Sequence, residues 1–521
     1  MPWACRPVFR YFSAADGLRG SRIDSARGPS IVPRMIAFIE SYWPHFLALL
    51  SFALGVPAII HAAMTKDDVR AAAGWVGVVL LSPVIGALIY AVAGINRMRR
   101  SSIGLQRSLL RSTERDPFGR FDITHDQVIA RFGQRFAAMK MLGDRVARFT
   151  MSTGNQIVML EGGDDVYAAM LDEIFAARRS ILIESYIFDR DPIGLRFADA
   201  LIAAVKRGVS VRVLIDAVGA RYSVPSIVGY LKEGGVPTAV FNGNIIMGLR
   251  LPYANLRTHR KIMVVDGVVA FAGGMNIRAG FSAELAGTAA SFDTHFRVTG
   301  PVVADIFQVA AEDWQFSSDE VLTGDAWRLA DLPEKPEVPS VLMRAVPSGP
   351  DNTNETNHKM LMGAFSVARK HIRLMSPYFL PDKELVSALV TAARKGVEVD
   401  IIVPAVNNLT LVDRAMTAQF DQVLKGHCRV WRAKGAFNHS KLMVVDDRWA
   451  YVGSTNLDPR SLRLNFEFDL EILDNGFART ISDKIWAIRA TAEEVTLAGL
   501  RAEPLANRLA NRLLWLGSPY L

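Results

Sequence analysis

Thr258-His259-Arg260-Lys261-Ile262-Met263-Val264-Val265-Asp266 and Asn438-His439-Ser440-Lys441-Leu442-Met443-Val444-Val445-Asp446 are two copies of one stretch. Both read H-x-K-x4-D. The likeness continues downstream, because Gly273 and Gly453 each lie 14 residues past their histidine, and Asn276 and Asn456 each lie 17 past it. The β-branched, apolar run after each lysine predicts a buried strand that ends in a turn at Asp266-Gly267 or Asp446-Asp447. On a strand, positions i and i+2 share a face, so His259 would project with Lys261, and His439 with Lys441.

An imidazole beside a fixed ammonium suits an anionic, phosphate-like substrate. Gly273 and Gly453, followed by Gly274 and Ser454, would let backbone approach such a group, and Asn276 and Asn456 offer amide donors to its oxygens. A single histidine on an apolar strand reads equally well as a core residue. Duplication with matching offsets argues for chemistry instead. The candidate catalytic set is therefore His259, Lys261 and Asp266 with His439, Lys441 and Asp446. Within it the two aspartates lie an odd number of residues past the histidines and so face away, which suits a structural role. Lysine would repel a metal cation, and no H-E-x-x-H or C-x-x-C occurs, so no metal is expected.

The flanking text repeats as well. Before the first motif it predicts helix 164–178, strand 180–188, helix 193–206 and strand 209–216; before the second, helix 357–370, strand 371–378, helix 383–395 and strand 397–404. Lys206-Arg207-Gly208-Val209 echoes Arg394-Lys395-Gly396-Val397 as a helix end with its glycine cap. Alternating strands and helices predict two α/β halves with mixed, largely parallel sheets flanked by helices, 155–340 and 341–500, joined by a proline-rich seam. After each motif a strand carries a pair of polar residues on one face: Asp293 with His295, and Glu467 with Asp469. Glu184, Tyr186 and Tyr378 end predicted strands, where α/β proteins place ligands, although core packing would suit the tyrosines equally.

Upstream, residues 1–34 are arginine-rich without apolar periodicity and are expected to be a disordered basic extension, with Met35 an alternative start. Residues 46–64 and 71–95 are long enough and apolar enough for a two-helix transmembrane hairpin over 35–100. Arginines flank its outer ends, placing both termini on the cytoplasmic side. Residues 101–154 read as a basic amphipathic linker, lying either on anionic lipid or on the catalytic body. The tail 501–521 puts Leu505, Leu509, Leu513 and Leu516 at helical spacing, again for an interface or for its own domain. A net charge of +8 over 521 residues favours an anionic partner. Cys5 and Cys428 alone support no disulfide framework, which points to a reducing compartment.

The paired motifs resemble the phospholipase D superfamily. The wider text is similar to the bacterial cardiolipin synthases: Arg257-Thr258-His259-Arg260-Lys261, Ser376-Pro377-Tyr378-Phe379-Leu380-Pro381-Asp382, Gly453-Ser454-Thr455-Asn456-Leu457-Asp458-Pro459-Arg460-Ser461, the hairpin, and Leu513 to Leu521. The resemblance implies two phospholipase D-like domains behind a membrane hairpin in the bacterial inner membrane. It implies that Asp293 and Glu467 orient the histidines, that His259 is the nucleophile, and that His439 is the acid–base. From the sequence alone those two roles could be exchanged. The implied reaction joins two phosphatidylglycerol molecules into cardiolipin and glycerol through a phosphohistidine, without cofactor or nucleic acid. Hydrolysis by water, a membrane-bound nuclease and a non-catalytic scaffold are the alternatives.

Overall fold

The computed structural model describes residues 31–66, 68–94, 119–242, 256–329, 331, 340–351 and 353–518. Contacts divide the chain into two compact units, 1–97 and 98–521.

In the first unit, one helix runs from Ile31 to Thr65, so residues 31–34 of the expected disordered extension are helical; residues 1–30 lie outside the described residues. Its segment Glu40–Thr65 has a mean hydropathy of 2.1 and is long enough to cross a membrane. The second expected span is not one helix. It divides into Val69–Leu81 and Pro83–Ile89, followed by a π-helical turn at Tyr90–Gly94. Pro83 has no N–H to continue the ladder, which forces the break at Ser82. Ala62, Val79, Ala87 and Tyr90 are buried between these helices, and Tyr90 Oη lies 2.8 Å from His61 Nδ1.

The second unit is built on one sheet. Its first half supplies β1 (Ser152–Glu161), β2 (Ser180–Ser185), β3 (Ser210–Asp216), β4 (Thr238–Phe241), β5 (Arg257–Thr258), β6 (Ile262–Val265), β7 (Val269–Gly273) and β8 (Thr294–Thr299). The second half supplies β9 (Val341–Ser348), β10 (His371–Met375), β11 (Glu398–Pro404), β12 (Arg429–Ala433), β13 (Leu442–Val445), β14 (Trp449–Gly453), β15 (Asn465–Leu473) and β16 (Glu493–Val495). Their spatial order is β16-β12-β11-β10-β13-β14-β15-β9-β1-β8-β7-β6-β2-β3-β4, with β5 paired to β15. From the β9–β1 pair outward the two halves repeat one another as far as β4 and β12, and β16 is an additional edge strand of the second half.

Along this path β2-β3-β4 and β10-β11-β12 are parallel and the rest, including the edge strand β16, is antiparallel; β5, off the path, pairs parallel with β15. The sheet is mixed and flanked by helices, as expected, but its parallel share is smaller than the expectation of largely parallel sheets. The alternating helices account only for the parallel outer part, and the motif strands β6-β7 and β13-β14 are antiparallel hairpins. The antiparallel β1–β9 pairing makes the halves continuous, so residue 340 divides the duplication and not the sheet.

Helices cover both faces, which is why the motif strands read as unbroken apolar runs. In β6, Ile262 and Val264 face one core and Met263 and Val265 face another; in β13, Leu442 and Val444 part from Met443 and Val445 in the same way. The first of these cores draws on both halves and is closed by the helices Val302–Ser318 and Asn475–Ala490, giving the halves a shared interior.

The stretch 119–154 of the basic linker docks on the catalytic body. A Thr124–Gln127 capping box starts the helix His125–Phe132, and the helix Gln134–Val146 follows. They bury Val128, Phe132, Phe136 and Met139 in the core of the second half, and Arg135 pairs with Asp446 at 2.7 Å. Its other expected position, on lipid, does not apply to these helices; residues 101–118 lie outside the described residues. In the C-terminal helix Leu505–Leu516, Trp515 Nε1 donates to Gln419 and Arg512 pairs with Asp421, while Leu505, Leu509, Leu513 and Leu516 remain exposed.

Candidate active site

Each histidine precedes its strand rather than lying in it: His259 to Lys261 bridge β5 and β6, and His439 to Lys441 lead into β13. Their position is set by the opposite half. His259 N–H donates to Phe466 O at 2.8 Å, and His439 N–H donates to Phe292 O at 2.7 Å. Arg260, fully buried, donates through Nε to Glu467 O at 3.0 Å and pairs with Asp313. Ser440 Oγ meets Thr294 Oγ1 at 2.9 Å.

The side chains cross in the same way. His259 Nδ1 lies 2.8 Å from Glu467 Oε2, and His439 Nδ1 lies 2.8 Å from Asp293 Oδ2. Each of the two acids the resemblance implied thus meets a histidine, and in each case that of the other half. Both are fully buried, yet neighbouring charge and hydrogen bonds hold their carboxyls below the usual range: His259 and Lys261 around Glu467, Lys441 and His439 around Asp293. An ionised carboxylate only accepts hydrogen bonds, so each Nδ1 carries the proton and each Nε2 keeps its lone pair.

Burial pulls both imidazoles down to about 4, which favours their neutral form near pH 7. The same desolvation pulls Lys261 down to about 7 and Lys441 to about 8, with the two carboxylates opposing it. Lys261 Nζ donates to His259 O at 2.5 Å, and Lys441 Nζ donates to His439 O. Lys441 Nζ also lies 2.9 Å from His439 Nδ1, but that nitrogen's single proton points at the nearer, charged Asp293.

Both histidines line one cavity of about 420 Å³ together with Asn276 and Asn456. Asn276 Oδ1 accepts from Ile187 N–H at 3.1 Å, leaving its amide N–H groups to donate. Tyr186 packs edge-on to His259, and Tyr378 edge-on to His439, so the two strand-end tyrosines do line the site. Leu380, Leu409, Val412 and Phe437 give the cavity an apolar side.

Several expected site residues act elsewhere. A Cβ on Gly273 would come within 2.6 Å of His295 Nδ1, and one on Gly453 within 2.3 Å of Asp469 Oδ1. These glycines make room for β8 and β15 side chains and do not line the cavity. Ser454 Oγ donates to Glu467 Oε2 at 2.6 Å, so it holds the acid rather than a phosphate. Asp266 and Asp446 sit beyond the far ends of β6 and β13 with positive φ. Asp266 accepts backbone N–H bonds from Arg178, Arg179 and Ser180, and Asp446 from Arg369, Lys370 and His371. They tie the motif strands to the starts of β2 and β10 and touch no cavity atom, which removes them from the catalytic set. His295 is buried on β8, and Asp469 accepts from Thr455 and Asn357; neither meets a histidine. Glu184 is buried under Thr258, pushed well up by desolvation and Asp313.

The cavity also contains Arg257, Arg278, Arg460 and Tyr222, which the sequence reading did not single out as site residues. For Arg257 and Arg460, adjacency to His259 and to Asn456 was the available signal.

The sequence pattern described as "Cardiolipin synthase, PLD-like domain" matches residues 170–285 and 361–489, and the pattern "Phospholipase D-nuclease N-terminal" matches 53–94. The cardiolipin synthase A of Pseudomonas fluorescens is 29% identical over 494 residues, covering 93% of this chain and 100% of that one. The cardiolipin synthase of Alkalihalophilus pseudofirmus is 30% identical over 461 residues, covering 86% of this chain and 88% of that one. Among solved structures, the phosphatidylserine synthase of Haemophilus influenzae superposes with a TM-score of 0.57 at 16% identity, over 74% of this chain and 100% of that one, a likeness of fold. With the histidines of both motifs meeting in one cavity and identity sustained along nearly the whole length of such relatives, the chain belongs to the cardiolipin synthase family of the phospholipase D superfamily.

Proposed function

We propose that the chain is a membrane phosphatidyltransferase that condenses two phosphatidylglycerol molecules into cardiolipin and releases glycerol. The observation that carries this reading is the crossed pair, His259 on Glu467 and His439 on Asp293, opening on one cavity. His259 Nε2 attacks phosphorus, the bond from phosphorus to the glycerol oxygen breaks, and His439 delivers a proton to that oxygen. The acceptor hydroxyl then gives its proton to His439 Nε2 and attacks the phosphohistidine, breaking the P–N bond.

Because burial favours the neutral imidazole, His439 takes its proton from solvent as substrate binds: a bound phosphodiester anion favours the imidazolium beside it. The two lysines and the amides of Asn276 and Asn456 hold the phosphate oxygens as charge shifts onto them. No step calls for a metal.

The apolar helix of the first unit and the exposed leucine row of the C-terminal helix support placement at a membrane. Arginines on both outer flanks of the hairpin favour two crossings with the catalytic body on the cytoplasmic side.

Incubating the purified protein with labelled phosphatidylglycerol, beside His259→Ala and His439→Ala, tests the assignment. Cardiolipin is expected from the parent alone. Cardiolipin persisting in both variants would sink the proposal, and phosphatidic acid as sole product would replace it with hydrolysis.

A further inference from the structure

Glu467 is held through both of its oxygens. Its Oε2 meets His259 Nδ1 at 2.8 Å and Ser454 Oγ at 2.6 Å, and its Oε1 accepts Asn465 Nδ2–H at 3.1 Å. The sheet puts Asn465 there: the parallel β5–β15 pairing sets it opposite Arg257 and sets Phe466 opposite Thr258, so that His259 N–H reaches Phe466 O. An ionised carboxylate only accepts hydrogen bonds, which fixes the Asn465 amide with its N–H on Glu467 and its carbonyl on the other branch.

That carbonyl is unused. Asn465 is 5% exposed and lines the cavity, and its Oδ1 is buried without a hydrogen-bond partner among the described residues. A buried acceptor left unpaired is costly, so such a position suits a donor brought by a ligand. A phosphodiester anion supplies none, since its oxygens only accept, and acyl chains have none. A hydroxyl does. At the same place in the first half, two residues before Asp293, stands Ser291, and the second oxygen of Asp293 accepts Thr294 N–H at 2.7 Å instead. The free amide carbonyl therefore belongs to the side of His259.

Resting on the function proposed above, we propose that Asn465 recognises the headgroup: its carbonyl accepts a hydroxyl of the glycerol of phosphatidylglycerol while its N–H holds Glu467 against His259. One amide then joins substrate recognition to the orientation of the imidazole. A headgroup that brings the hydroxyl satisfies Oδ1. A headgroup without it leaves the acceptor unpaired in the complex and reacts more slowly. Asn465 takes no proton and forms no covalent bond, so the two displacements are unchanged.

The test uses the full chain in phosphatidylglycerol bilayers carrying trace lipid labelled in the headgroup, either phosphatidylglycerol or phosphatidylpropanol, which lacks both headgroup hydroxyls. The readout is the ratio of glycerol release to propanol release. The parent should favour glycerol about ten- to hundredfold, the penalty for leaving a buried acceptor unpaired. In Asn465→Leu the ratio should fall to within a few-fold of one; both rates drop together through the lost Glu467 contact, which cancels in the ratio. Asn465→Gln should recover part of the preference. A parent ratio near one, or an Asn465→Leu ratio equal to that of the parent, overturns the assignment. If phosphatidic acid is the sole lipid product of the parent, the function proposed above fails, while the same ratio still decides the role of Asn465.

Discussion

Glu467→Gln is the perturbation on which the crossed arrangement is most exposed. Glu467 is 0% accessible, accepts from His259 Nδ1–H at 2.8 Å and takes Ser454 Oγ at 2.6 Å. It is also the largest favourable charge acting on Lys261, which burial has already drawn down to about 7. A neutral amide of the same size removes both effects. The imidazole is no longer held in the tautomer that leaves Nε2 free, and Lys261 loses its ammonium near neutral pH. A misplaced tautomer in a comparable acid–histidine pair costs about 10⁴ in kcat, or roughly 5.5 kcal/mol of transition-state stabilisation. Little of this should appear as unfolding, because the amide keeps the volume and can still meet Ser454.

The assay is a single turnover with phosphatidylglycerol labelled in its glycerol headgroup and in its acyl chains, following glycerol release and trapping of the lipid on the protein. Glu467→Gln should release no glycerol on the parent's time scale and trap nothing, while Asp293→Asn slows protonation of the leaving group through His439. A Glu467→Gln variant that kept more than about a tenth of the parent rate would refute the reasoning, since loss of a required orienting acid leaves far less activity than that. If the two variants exchange phenotypes, the nucleophile is His439.

Activity should decline at alkaline pH, because Lys261 and Lys441, drawn down to about 7 and about 8, discharge as pH rises through that window. KM for phosphatidylglycerol rises there, and a kcat/KM still climbing above pH 8 would contradict the lysine role. On the acid side the free histidines stay neutral down to about 4, so that limb should lie well below the ordinary histidine range. Asp446→Asn should lower stability by about 2 kcal/mol, seen as a fall in Tm, through weakened bonds to the N–H groups of Lys370 and His371 and to Arg135, with kcat of the folded enzyme within a few-fold of the parent. A thousandfold loss of kcat at unchanged Tm would return this residue to the catalytic set. Leu509→Glu with Leu513→Glu should reduce turnover in vesicles by about tenfold or more at unchanged Tm, since each exposed leucine is worth about 1.5–3 kcal/mol when buried in lipid. Equal turnover of parent and variant in vesicles would mean that the row does not meet the bilayer.

Legibility followed the range of the interactions. The helices and strands before each motif were readable to within a few residues because they answer to local periodicity and capping: the strand expected over 209–216 is Ser210–Asp216, and the helix over 383–395 is Lys383–Arg394. The second membrane segment looked continuous because composition alone does not register the loss of the N–H at Pro83. Gly273, Gly453 and Ser454 fell at matching offsets and were read as phosphate ligands. Their conservation of spacing between the copies instead reflects the β8 and β15 side chains they must accommodate or hold.

What the sequence determined by itself was the duplication and the two His-Lys pairs, since each is written in a few adjacent residues; Asp293 and Glu467 were implied by the family resemblance and not by local pattern. Only tertiary structure decided that Glu467 belongs to His259 and Asp293 to His439, that β1 pairs with β9 to join the halves, and that Arg257 and Arg460 line one cavity. The reason is physical: these contacts join residues that lie far apart along the chain, and their geometry comes from the antiparallel centre of the sheet and the strand-to-strand hydrogen bonds at Phe466 and Phe292, which no local pattern encodes.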